Sequence, residues 1–158
     1  MILKVIVLLV TQAMIAAAAI VHGVPPEIAR AVIQQESNFR CNPHGGSWHG
    51  GSGQVLHGTA HDMGFYGDLR DCEYGLEASM TYLAKVLKLD PNLCIAISLY
   101  NRGQYAVHRC SRYGRHVLKL MRIEKNRLLL IEHNKIMIIK VEDFVELEFK
   151  YLLGLLSF

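Results

Sequence analysis

The sequence predicts a mainly α-helical domain over residues 23–121. Apolar residues recur in this region at helical spacing, and Gly and Pro divide the repeating stretches into segments of helix length. The composition, with 51% hydrophobic and 20% charged residues, is that of a globular protein. A length of 158 residues suits one such domain with extensions at residues 1–22 and 122–158.

The first clear helix is predicted from Pro25 and Pro26 to about Ser37. Proline fits the first turn of a helix, where its missing N–H would have no intrahelical partner, and Glu27 complements the helix dipole there. A loop rich in Gly and His is predicted over residues 38–52, because glycine disfavours the interior of both helices and strands.

Four further helices are predicted, over about residues 59–63, 73–88, 91–100 and 111–121. The second of them carries a stripe typical of a face buried in the core, formed by Leu76, Met80, Leu83 and Leu87. Asp90 is predicted to cap the third, with Pro91 in its first turn, and the segment Asn101-Arg102-Gly103 is predicted to end it.

The N-terminal segment is open to three interpretations. Lys4, an apolar run and the small residues Ala16 to Ala19 resemble a secretory signal peptide. Met1 to Val21 also has roughly the length of an uncleaved membrane anchor. Alternatively, Ala13 to His22 forms the first helix of the domain, and cleavage near Ala13 would suit both this helix and a signal peptide. We expect export to the periplasm or the cell envelope.

The composition changes after Met121, where Ala is absent and Leu, Ile, Lys, Glu and Asn dominate. Residues 127–141 could form two short strands, and residues 143–158 are apolar enough for a packed helix or one that lies on a membrane. The apolar termini together lead to the hypothesis of membrane association.

Charge and cysteine content narrow the function classes. A formal net charge of +3 is too mild to indicate nucleic-acid binding, for which a dense stripe of Lys and Arg is typical. The four cysteines, at positions 41, 72, 94 and 110, form no CxxC pair and predict two disulfides in an exported domain, with three pairings open. His57 and His61 are four residues apart, but no HExxH motif accompanies them, so no metal or other cofactor is expected. We expect a monomer.

Glu36 is the candidate catalytic residue. Ile28, Val32 and Glu36 follow one another at a spacing of four residues, which places a carboxyl group at the end of a buried helix stripe. Partial burial disfavours the charged form and raises the pKa, so such a group can donate a proton near neutral pH. The alternative is a Glu at a helix end that points to water.

Three motifs follow one another around Glu36. They are Glu36-Ser37-Asn38-Phe39, then Gly51-Ser52-Gly53-Gln54-Val55-Leu56 with Thr59-Ala60, and finally Tyr100-Asn101-Arg102-Gly103. With these motifs, residues 23–121 resemble the soluble lytic transglycosylase domain. Ser52-Gly53 departs from the usual Leu-Met of that family, a change expected to open the floor of the cleft beside Gln54.

This resemblance implies a lysozyme-like helical fold with a cleft for peptidoglycan. Glu36 would protonate the oxygen between N-acetylmuramic acid and N-acetylglucosamine, and would then accept the proton of the muramoyl C6 hydroxyl as a 1,6-anhydro ring closes. The 2-acetamido group of the substrate would replace a second carboxylate. A hydrolytic variant stays open, because Asp62, Asp68 and Asp71 lie in or near loops that could supply one.

Ser37, Gln54, Tyr100 and Asn101 are the predicted substrate-binding residues. The two amides can hydrogen-bond neutral sugar groups, and the Tyr100 ring can pack on a sugar face. Structural roles stay open for each, since Asn101 could simply end its helix and Gln54 could bind loop backbone. Trp48 could line the cleft or anchor the loop. Two other functions also stay open: a wall-binding component without turnover, and a membrane-associated effector.

Overall fold

The structure, a computed structural model, describes residues 2–41, 49–123 and 125–126, with side chains described from residue 11 onward except that of residue 49. The chain forms two compact units, Met1–Arg122 and Ile123–Phe158. The strands and the helix predicted for the C-terminal extension lie outside the described residues, as do His44 and Trp48 of the predicted loop.

Helices dominate the described part of the first unit, which confirms the predicted fold class. In chain order the elements are α1 (Ile2–Val21), α2 (Pro26–Ser37), β1 (His49–Gly50), β2 (Val55–Leu56), α3 (His57–His61), α4 (Cys72–Leu87), α5 (Leu93–Arg102) and α6 (residues 112–123). The two short strands pair in an antiparallel hairpin, with Gly50 opposite Val55. This hairpin stands within and just after the stretch predicted to be a loop.

Helix α2 begins and ends as its sequence predicts. Pro26 occupies its first turn, and Asn38 ends it in the left-handed conformation, with φ 51° and its N–H bonded to the Gln34 carbonyl. Ile28 and Val32 are buried, with exposed fractions of 5% and 0%. The stripe that leads to Glu36 therefore faces the core.

Helix α4 lies in the core, and α5 packs against it. Leu76, Met80 and Leu83 of the predicted stripe are fully buried. The predicted cap of α5 is wrong: Asn92 and not Asp90 begins this helix, because the Asn92 side chain accepts hydrogen bonds from the N–H groups of Cys94 and Ile95. Asp90 instead accepts the N–H of Asn92.

Helix α1 contributes to the core of the first unit through its second half. Ile15 and Ala19 are fully buried, and α1 packs against both α2 and α4. The Gln12 side chain accepts a 2.6 Å hydrogen bond from Arg30 on α2. Among the residues that the structure describes, no helix combines the length and hydropathy needed to cross a membrane.

Two disulfides join elements that carry the candidate site, as the cysteine count predicts. Cys41, just after α2, is bonded to Cys72 at the start of α4. Cys94, at the start of α5, is bonded to Cys110 just before α6. The two bridges close loops of 31 and 16 residues in sequence separation.

Gly75 makes a close backbone contact that gives a stability prediction. A methyl group at Gly75 would overlap the Leu69 carbonyl oxygen and approach the Cα of Gly51. Gly75→Ala should lower the free energy of unfolding by about 1–3 kcal/mol, because the backbone itself would have to move. Gly58→Ala on α3 is the matched control, since its methyl group would meet open space and the substitution favours a helix. Urea unfolding midpoints compare the two, and equal midpoints would contradict the prediction.

Candidate active site

A groove of about 310 Å³ opens where α2, the hairpin, α3, α4 and α5 meet. It contains residues from all three sequence motifs. The lining residues are Glu36, Gln54, Val55, Leu56, Thr59, Tyr82, Tyr100, Asn101, Arg102 and Gly103. Among the lining residues, Glu36 is the one carboxylate and Arg102 the one cation.

Glu36 lies in the last turn of α2 and is partly exposed to the groove. Burial raises the pKa of its carboxyl group above the ordinary value for Glu, and a hydrogen bond from Tyr113 opposes part of that rise. The Tyr113 hydroxyl donates to Oε1 of Glu36 at 2.5 Å. The carboxyl group is thus held in one position and is poised to keep a proton.

Tyr113 is a residue that the sequence reading missed. It lies at the start of α6. Burial raises the pKa of its hydroxyl, and the nearby charge of Glu36 raises it further, so Tyr113 stays a neutral hydrogen-bond donor. Its sequence separation from Glu36 is 77 residues, so no local pattern joins the two. One signal was present: Tyr113 and Val117 lie four residues apart, which places the ring on the buried face of α6.

Tyr113→Phe should shift the pH dependence of any reaction that needs protonated Glu36. The hydrogen bond from Tyr113 favours the ionised carboxylate, so its loss raises the pKa of Glu36. The alkaline limb of the rate profile then moves to higher pH. We also expect kcat to fall about tenfold, because one charge-assisted bond no longer fixes the carboxyl group. Initial rates between pH 4 and 9, with the substrate that the sequence resemblance implies, test this prediction. An unmoved alkaline limb would argue against the contact.

Gln54 and Asn101 both line the groove, as their predicted role requires. Gln54 has a left-handed backbone, with φ 50°, and its Nε2 donates to the Gly51 carbonyl at 2.9 Å. The Gln54 amide therefore makes the contact with loop backbone that is the alternative to sugar binding. Its Oε1 accepts no hydrogen bond from the described residues. Asn101 is exposed in the last turn of α5. Its amide is accessible from the groove.

Tyr100 and Ser37 are more buried than a sugar-binding role would suggest. Tyr100 is 7% exposed, and its hydroxyl donates to the Gly53 carbonyl at 2.9 Å. It lines the groove but has little ring surface to offer a sugar. Ser37 is 3% exposed, and its hydroxyl donates to the Ile33 carbonyl of its own helix. The structure does not bring Ser37 to the groove.

The segment Ser52-Gly53 does not open the floor of the groove. A methyl group at Gly53 would overlap the hydroxyls of Ser79 and Tyr100, so these two side chains occupy the space beside it. Ser52 is fully buried, and its hydroxyl has no hydrogen-bond partner among the described residues. The expectation of a wider cleft beside Gln54 is therefore wrong.

The three loop aspartates lie away from the groove lining. Asp68 is paired with Arg70 at 2.8 Å, and Asp71 caps α4 by accepting the N–H of Tyr74. Asp62 is exposed at the end of α3. No second carboxylate stands across the groove from Glu36 among the residues that line it.

Comparison with known proteins assigns this arrangement to a family. The family described as the transglycosylase SLT domain matches residues 13–120. The match begins inside α1 and ends in α6, so it includes the helix of Glu36, the walls of the groove and Tyr113. No solved structure matches the chain at a significant level. Since the match extends over more than half of the sequence and includes every motif of the groove, the chain belongs to the transglycosylase SLT domain family.

Proposed function

We propose that this chain is a lytic transglycosylase that cleaves the β-1,4 bond between N-acetylmuramic acid and N-acetylglucosamine, leaving a 1,6-anhydromuramoyl product. Its family acts on peptidoglycan outside the cytoplasm. The proposal depends on the state of Glu36, which is half-buried, has a raised pKa and is the one carboxylate among the residues that line the groove.

A raised pKa suits the first half of the reaction. Protonated Glu36 donates its proton to the glycosidic oxygen as the bond to C1 of the muramoyl sugar breaks, and the N-acetylglucosamine leaves as an alcohol. A glycosidase of the two-carboxylate kind would place a second Asp or Glu across the scissile bond. Here the 2-acetamido oxygen of the substrate takes that place and stabilises C1.

The second half returns the proton to Glu36. The resulting carboxylate accepts the proton of the muramoyl C6 hydroxyl, the C6 oxygen forms a bond to C1, and the acetamido oxygen is released. Charge and protons balance over the cycle, because Glu36 ends protonated as it began. Tyr113 supports this exchange by donating to Oε1, which leaves the other carboxyl oxygen to exchange the proton.

Gln54 and Asn101 are the proposed sugar ligands. The free Oε1 of Gln54 can accept an N–H or O–H from the glycan, and the exposed amide of Asn101 can both donate and accept. Tyr100 acts on the segment that carries Gln54, since its hydroxyl holds the carbonyl of Gly53, the residue just before Gln54. We therefore assign Tyr100 a positioning role and leave Ser37 out of the binding set.

The disulfides support the proposal of export, because such bonds persist in oxidising compartments such as the periplasm. Removal of all residues 1–22 would take Ile15 and Ala19 out of the core. We therefore propose that any signal-peptide cleavage occurs near Ala13, where the family match begins. The segment from there to Val21 would then remain as the first helix of the catalytic domain.

Mass spectrometry of soluble products tests the proposed function. Purified sacculi digested with the wild-type protein should release muropeptides with an anhydro end, 18 Da lighter than their hydrolysed counterparts because no water is added. Reducing-end products would instead indicate a hydrolase. Absence of any soluble product would indicate a binding component without turnover.

A further inference from the structure

Positive charge is concentrated in one part of this chain. Residues 91–123 contain six Lys and Arg residues and no Asp or Glu, whereas the formal net charge of the whole chain is only +3. The segment includes α5, the connection that follows it, and α6. A mild overall charge therefore conceals a strongly cationic surface.

Helix α6 presents most of this charge to solvent. Its exposed basic side chains recur at steps of three and four residues, which places them on one face about 15 Å long: Arg112, Arg115, His116, Lys119 and Arg122. We call these five residues the basic face. Val117 on the other side of the helix is fully buried, and Leu118, Leu120 and Met121 pack against the core. No Asp or Glu of the described residues forms an ion pair with the basic face.

Arg102 extends the positive charge into the groove. It lines the groove at the end of α5, and its Nη1 donates to the Val107 carbonyl at 2.8 Å, which fixes the guanidinium group. The start of α6 is also next to the groove, because Tyr113 contacts Glu36 and Arg112 precedes Tyr113. Cations thus stand both inside the groove and on the helix beside it.

We propose that Arg102 and the basic face bind the carboxylates of the stem peptides that peptidoglycan carries on its muramoyl groups. This inference rests on the proposed function and names the part of the substrate that the groove alone does not bind. Stem peptides present free carboxylates at intervals along the glycan, so a strand in the groove brings them to both places. Arginine is well suited to such contacts, since its planar group binds a carboxylate with two parallel hydrogen bonds.

An anionic lipid surface fits these residues less well. The apolar side chains of α6 from Val117 to Met121 are packed in or against the core, so the helix has no continuous apolar face to insert among lipids. Arg102 lies in the wall of the groove and not on the exposed helix face. An anion attached to the glycan reaches both Arg102 and α6, whereas a flat bilayer reaches the helix alone.

Binding to soluble glycan strands tests the proposal with catalysis removed. The parent protein carries Glu36→Gln, and its affinity is measured by fluorescence anisotropy on labelled strands that either retain their stem peptides or have lost them to an amidase. Adding Arg112→Gln with Lys119→Gln should weaken binding to peptide-bearing strands about threefold or more at low salt, and less at high salt. Binding to peptide-free strands should not change. Arg102→Gln should weaken binding to peptide-bearing strands more than binding to peptide-free strands, which share the groove that Arg102 lines.

The matched control neutralises two other exposed cations, Lys85 and Lys88 at the end of α4, and should leave both affinities unchanged. Equal weakening on both kinds of strand, or equal weakening by the control pair, would overturn the proposal. Charge-dependent binding to vesicles of phosphatidylglycerol without a preference for peptide-bearing strands would overturn it in favour of a lipid surface. Failure of the proposed reaction is read separately, as the absence of anhydro products from the wild-type protein.

Discussion

Glu36→Gln is expected to lower kcat for the release of anhydro-muropeptides by roughly 10³- to 10⁴-fold. General acid–base catalysis contributes on the order of 10²- to 10⁴-fold, and here one carboxyl group serves both as the acid and as the base. The glutamine side chain has nearly the same shape but cannot donate or accept the proton. Quantitative mass spectrometry of soluble products from sacculi, at equal protein concentrations, measures the loss.

Stability separates a catalytic effect of this substitution from misfolding. The pKa of Glu36 is higher in the folded protein than in the unfolded chain, so ionisation of its carboxyl group works against folding. The protonated group makes its full contribution to stability below the pKa of the unfolded state. This contribution is lost as the pH rises through the pKa of the folded state. Glutamine stays neutral, so the variant should be at least as stable as the wild type near pH 7. The difference should vanish below about pH 4.

Glu27→Gln supplies the matched control for activity. Glu27 is an exposed acidic residue in the first turn of the same helix, and it does not line the groove. This variant should keep the rate of the wild type. A folded Glu36→Gln protein that still released anhydro products at a similar rate would remove the basis of the proposed mechanism.

The parts of the fold and site that sequence could predict are those encoded within a single helix. The limits of α2 follow from Pro26 and from the residues after Ser37, and the buried stripe of α4 follows from its own periodicity. The half-buried state of Glu36 follows from the same kind of pattern, because its place relative to Ile28 and Val32 decides which way it faces. Such features need no knowledge of what the helix packs against.

The parts that sequence could not predict depend on contacts between distant segments. Tyr113 reaches Glu36 only because the start of α6 lies beside the end of α2. The Gly53 carbonyl is likewise held by the hydroxyl of Tyr100, which lies 47 residues away on α5. The basic face was hidden for a different reason. Net charge sums over the whole chain, so the excess of acidic residues before position 91 and after position 123 masks the positive segment between them.

Loss of both disulfides is the second large effect that we expect. In the loop-closure account, a bridge that closes a loop of about 15 residues stabilises the folded state by about 3 kcal/mol, and a longer loop by somewhat more. Two bridges of this kind together approach the whole stability of a typical domain, about 5–15 kcal/mol. The Cys94→Ser/Cys110→Ser protein should lose about 3 kcal/mol, and the fully reduced wild type should unfold below or near 37 °C. Denaturant unfolding with and without reductant measures both losses.

The two bridges should also differ in what they do to the site. Cys110 precedes Tyr113 by three residues and ties the start of α6 to α5. Loss of the Cys94–Cys110 bridge should loosen the contact between Tyr113 and Glu36. At temperatures where the protein is still folded, the alkaline limb of the rate profile should then move to higher pH, as it does in Tyr113→Phe. Cys41→Ser/Cys72→Ser removes the bridge between α2 and α4 and should lower stability without that shift, because α6 keeps its tie. If both pairs gave the same pH profile as the wild type, the position of Tyr113 would depend on the packing of α6 and not on the bridge.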